Sequence, residues 1–114
     1  MEFEIIGRHT EVTEPVKQYV AEKRDKLSKF FDRIHSLKVI ISAEGANLTA
    51  EFLAHLVKSD MVVARGSATD LFAAIDQASD KMEAQLRKYK GKLREHRLKG
   101  EEAAPVEEIP EEET

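Results

Sequence analysis

The sequence predicts an α+β domain of two layers, a four-stranded sheet with two helices packed on one face in the order β-α-β-β-β-α. Three observations predict it. Apolar residues recur every three to four positions in two long stretches, the period of a helix with one buried face. Between and before them, four short segments alternate apolar and polar residues, the period of a half-buried strand. The last three of these segments are joined by short loops, so they form an antiparallel meander, and the first helix carries the chain over so that strand one lies parallel to strand two.

Met1 to Arg8 alternates Phe3 and Ile5 with Glu2 and Glu4, and Arg8-His9-Thr10 closes this strand. Thr13 is placed to cap a helix that has Glu14 and Pro15 in its first turn and runs to about Phe31. Its apolar side is Val16, Tyr19, Val20, Leu27, Phe30 and Phe31. Lys17 and Arg24 lie on one flank and Lys26 and Lys29 on the other, while Lys23 falls inside the apolar arc. A lysine there must snorkel along the core edge or serve a partner.

Ile34 to Ser42 reads as the second strand, residues 43–47 as a turn, and Leu48 to Lys58 as the third strand, with Leu48, Ala50, Phe52, Ala54 and Leu56 on one face. Ser59-Asp60 connects tightly to a fourth strand, Met61 to Arg65, which Gly66 is expected to end. From Thr69 to Lys99, the residues Leu71, Ile75, Ala78, Met82, Leu86, Tyr89 and Leu93 make one buried stripe on a helix roughly 40 Å long. That is longer than a small sheet is wide, so its basic end should overhang into solvent. Lys81, Lys88 and Lys92 line one side of the stripe, and Arg87, Lys90, Arg94 and Arg97 the other.

A chain of 114 residues, 41% of them apolar, makes one compact domain. No run of some 18 apolar residues or charged-then-apolar leader suggests a membrane span or signal. Cysteine is absent, which excludes disulfides and thiolate chemistry and fits a reducing cytoplasm. The net charge of −4 hides an asymmetry: residues 101–114 hold seven glutamates, and residues 1–100 carry 18 basic against 15 acidic side chains. Residues 1–99 are expected to form the domain. Residues 100–114, with prolines 105 and 110 and few apolar groups, are expected to be an acidic disordered tail.

Nothing reads as an enzyme, and no cofactor, metal or small-molecule substrate is expected. His9, His35, His55 and His96 lack metal-ligand spacing, the serines lack a nucleophile-elbow context, and the five glycines form no phosphate loop. Asp70, Asp76 and Asp80 look like a cap and solvated face positions. Lysines on an amphipathic helix are commonly just its solvated face, but eight basic residues between Lys81 and Lys99 face only Glu83 and Glu95. With the helices side by side, Lys23, Lys26 and Lys29 are expected to join the Lys81, Lys88, Lys92 line as one ridge. Such a ridge suits a large folded RNA read by shape and charge, since aromatic residues for stacking are few.

IIGRHTEVTEPVKQYVAEKRDKLSKFFDRI, LTAEFLAHLVKSDMVVARG and, above all, DLFAAIDQASDKMEAQLRKYKGKL resemble the ribosome hibernation-promoting factor family, which includes ribosome-associated inhibitor A. The resemblance covers about residues 1–95. It implies a fold similar to a double-stranded RNA-binding domain preceded by an extra strand. It also implies a cytoplasmic translation inhibitor of stress or stationary phase, seated in the small-subunit channel of mRNA and A- and P-site tRNA. Its partners there are the 16S-type rRNA and neighbouring ribosomal proteins.

The family's rRNA-facing basic residues fall on Lys23, Lys26, Lys29, Lys81, Lys88 and Lys92. Where an arginine is common in the family's ERQL segment, this chain has Ala84, with Arg87 the candidate replacement, and Phe72 stands where a tyrosine is common. The chain resembles the short forms and is expected to be a monomer off the ribosome. Its tail is similar to that of the inhibitor branch, where such an extension opposes dimer formation. The alternative is a protein-interaction module or generic structured-RNA binder whose acidic tail docks on a basic partner.

Overall fold

The computed structural model describes residues 1–58 and 60–99, with side chains described to residue 91. The tail expected at 100–114 and the side chain of Lys92 lie outside the described residues. The order is β1 (Glu2–Arg8), α1 (Glu14–Phe30), β2 (Ile34–Glu44), β3 (Asn47–Leu56), β4 (Met61–Ala68) and α2 (Leu71–Lys99). The sheet runs β1-β2-β3-β4, with β1 parallel to β2 and the other pairs antiparallel. This is the predicted two-layer α+β arrangement.

Alternation decides which face is covered. Leu37, Val39 and Ile41 on β2, Ala50, Phe52, Ala54 and Leu56 on β3, and Val62 and Ala64 on β4 are buried under the helices. α1 contributes Val16, Val20 and Leu27, and α2 contributes Ala74, Ile75, Ala78, Met82 and Leu86, to the same core. Each of the larger side chains contributes roughly 1.5–3 kcal/mol by leaving water.

Three details differ from the sequence reading, each for a local reason. The β2–β3 turn is two residues, Gly45 and Ala46, with Glu44 paired to Asn47, so β2 runs two residues further than expected and β3 begins one residue earlier, while β3 ends at Leu56 rather than Lys58. Gly45 has φ +61°, the conformation such a tight loop asks of its first residue. β4 does not stop at Gly66 but continues to Ala68, because that glycine is a crossing point: a Cβ there would lie 2.2 Å from the Ala74 carbonyl oxygen and 2.8 Å from the Ala78 nitrogen. With Ala64, Ala74 and Ala78 around it, Gly66 lets α2 sit close on the sheet. Finally, Thr13 occupies the N-cap of α1, but its side chain makes no cap hydrogen bond; its carbonyl accepts from Lys17 N at 2.9 Å. α2 is capped as expected, Asp70 Oδ2 accepting from Ala73 N at 3.2 Å.

Candidate nucleic-acid interface

α1 and α2 lie side by side, and the side chains facing across the seam between them are mostly charged. At one end Tyr19 Oη donates to Asp76 Oδ1 at 2.6 Å, and Lys23 Nζ pairs with the same oxygen at 3.0 Å. Lys23 also lies 4.9 Å from the Tyr19 ring centroid, and Phe72 packs edge-on against that ring at 5.0 Å. The Tyr19 hydrogen bond, helped by Lys23, holds the Asp76 carboxyl below its usual range. Burial opposes the Lys23 charge, but the bond and charge of Asp76 outweigh it and raise the ammonium's pKa. Asp76 is therefore not a bare solvated position, as its spacing suggested. It is a clasp between helices whose partner stands 57 residues earlier.

Further along the seam the balance turns positive. Lys26 Nζ is 3.5 Å from Glu83 Oε1, and Arg87 Nη2 is 3.1 Å from Glu83 Oε2, so one carboxylate is shared by two cations. Arg87 and Lys90 lie over the Phe30 ring at 5.3 and 4.9 Å, and Lys90 Nζ donates to the Phe30 carbonyl at 3.1 Å. That contact sits at the C-terminus of α1, where the helix dipole favours a cation. Lys29 is exposed one turn from Lys26. Thus Lys26, Lys29, Arg87 and Lys90 gather at the Phe30 end of the seam.

The expected single ridge is corrected here. Lys81 does not turn towards α1: its Nζ donates to the Arg65 carbonyl of β4 at 3.1 Å. Gln85, on the same flank, donates to the Val63 carbonyl at 2.9 Å. The Lys81, Lys88 flank of the helix therefore lies on the β4 side, and the Arg87, Lys90 flank meets Lys23 and Lys26. A helical wheel gives two flanks but not which one meets the neighbouring helix. The sheet order decides it by putting β4 outside. Lys88 is exposed on that outer flank. Lys90, Tyr19 and Asp76 were missed as site residues; Lys90 shared a helical flank with Arg87, which was the available signal.

His9, His35 and His55 are exposed, and among the described residues no cluster of metal-ligating side chains occurs. No described helix is long and apolar enough to cross a membrane.

Known proteins share this fold. The family described as sigma 54 modulation protein / S30EA ribosomal protein matches residues 3–94. A ribosome hibernation promoting factor of Escherichia coli K12 is 35% identical over 96 residues, covering 84% of this chain and 100% of that protein. One from Azotobacter vinelandii is 38% identical over 92 residues, covering 81% and 85%. Among solved structures, the N-terminal domain of Thermus thermophilus Protein Y superimposes with TM-score 0.70 at 32% identity, covering 78% of this chain and 99% of that one. A ribosomal subunit interface protein from Coxiella burnetii gives TM-score 0.75 at 20% identity, covering 81% and 100%, a likeness of fold. With a match along residues 3–94 and relatives of this identity covered almost end to end, the chain belongs to the sigma 54 modulation protein / S30EA ribosomal protein family, alongside the ribosome hibernation promoting factors.

Proposed function

We propose that this protein is a non-enzymatic ribosome hibernation factor of the cytoplasm that binds the small subunit through rRNA phosphates and blocks the mRNA and A/P-site tRNA path under stress or in stationary phase. The names of its relatives support ribosome binding as the general role. The observation that carries the finer reading is the gathering of Lys26, Lys29, Arg87 and Lys90 at the Phe30 end of the seam, where Glu83 pairs with Lys26 and Arg87 and Lys90 bonds the Phe30 carbonyl.

Point charges from lysine and the forked guanidinium of Arg87 complement phosphate oxygens without reading base identity. Two cations of the four belong to each helix, so their spacing is fixed by core packing rather than by flexible loops. Lys23 is already held by Asp76 and is the positioning member of the set. Lys81 and Lys88 form a second, separate contact line on the outer flank, to which Lys92 is assigned by the sequence alone. Inhibition then needs no chemistry: the rigid body occupies the path that tRNA and mRNA would take.

Charge reversal of Lys26, Lys29 and Arg87 to Glu is expected to abolish cosedimentation with small subunits while far-UV circular dichroism stays native. Undiminished binding would refute the assigned surface. tRNA is expected to compete with the protein for the subunit, which a generic structured-RNA binder would not require.

A further inference from the structure

β4 is the edge strand of the sheet on the α2 side, and at three alternate residues its main chain is bonded by side chains of α2. Ser67 N donates to Gln77 Oε1 at 3.1 Å, Lys81 Nζ donates to Arg65 O at 3.1 Å, and Gln85 Nε2 donates to Val63 O at 2.9 Å. The rungs stay in step because four residues of helix rise about 6 Å and two residues of strand about 6.8 Å. Gln77 to Gln85 ascends while Ser67 to Val63 descends, so the helix runs antiparallel to the strand. The residue types match their rungs: glutamine accepts from the amide or donates to the carbonyl, and lysine, a donor, meets a carbonyl.

We propose that Gln77, Lys81 and Gln85 act as a side-chain strand that closes the β4 edge against pairing with a second copy of this chain. An uncovered edge is a template for another strand, and an antiparallel pair of identical edges is self-complementary about a two-fold axis. On the face of the sheet away from the helices, Met61 is 51% and Val63 41% exposed beside this same edge, so pairing there would bury apolar surface as well as satisfy main-chain groups. Lys81 adds a second barrier, since the two-fold mate would bring a like charge to the same edge. The proposal is independent of ribosome binding.

The test is sedimentation velocity on the full chain and on Q77A/K81A/Q85A. The wild type is expected to sediment as a monomer and the triple variant to dimerise with an apparent Kd lower by tenfold or more. Adding Val63→Lys, which places a charge on the opened strand, is expected to restore the monomer. A folded triple variant that stays monomeric over the same concentrations, or a dimer that persists with Val63→Lys, overturns the proposal. If the triple variant does not fold, K81A/Q85A, which removes the charge and uncovers the Val63 and Arg65 carbonyls beside the exposed Met61 and Val63, decides: concentration-dependent dimer supports the proposal and monomer overturns it.

Discussion

Single residues in this protein carry roles that composition does not hint at. Tyr89 Oη donates to the Asp60 carboxylate at the β3–β4 connection, and this bond, with partial burial, pushes the phenol up to about 12. A raised folded-state pKa contributes stability that is complete below the unfolded value near 10 and lost as pH climbs through the folded value. The wild type is thus expected to lose stability between pH 10 and 12 relative to Tyr89→Phe, by less than about 1 kcal/mol because solvent screens the pair. Urea midpoints of both proteins across that range give the difference. Asp76 runs the other way: its lowered pKa gives stability present above the unfolded value and lost in acid as pH falls through the folded one. Gly66 is held by contact with α2, so Gly66→Ala forces the Ala74 carbonyl away. A cost of about 1–3 kcal/mol follows, lowering Tm by on the order of 10 °C in a thermal melt.

At the scale of elements, the two flanks of α2 have different duties. The flank towards α1 holds Asp76, Glu83, Arg87 and Lys90 in the seam, and the flank towards β4 holds Gln77, Lys81 and Gln85 on the sheet edge. This separation makes the two cation lines testable one at a time. Reversing Lys26 and Lys29 is expected to weaken binding to the small subunit at least tenfold. Reversing Lys88, on the outer flank, should cost a few-fold. Filter binding of the two variants checks the ranking, and the opposite order would move the interface to the outer flank. Close approach of α2 to the sheet is set at Gly66, against Ala74 and Ala78, whereas the seam between the helices holds the bulkier Tyr19 and Phe72, packed edge-on, and Phe30 under Arg87 and Lys90.

For the whole molecule the governing quantity is charge distribution rather than net charge. The four seam cations alone predict a log–log salt dependence of affinity with a slope of about −3, and contacts from the outer flank steepen it. Titrating binding from 50 to 200 mM salt measures it, and a flat response would exclude the phosphate mechanism. Deleting residues 101–114 removes seven glutamates and is expected to leave ribosome binding intact or tighter. Loss of binding on deletion would instead favour a tail that docks on a basic partner.

The element order, the strand pairing, the buried faces and the cap of α2 were all legible in the sequence, because hydrophobic period and short loops are local properties that the chain writes along itself. Lys26, Lys29 and Arg87 could be picked as exposed cations for the same reason. What the sequence could not decide was which side of α2 faces α1, that Asp76 clasps Tyr19 and Lys23, that Gly66 is a crossing point rather than a stop, and that Lys81 serves a strand edge. Each of these depends on residues distant in the chain meeting in space, and the meeting is set by packing two helices against one particular strand order.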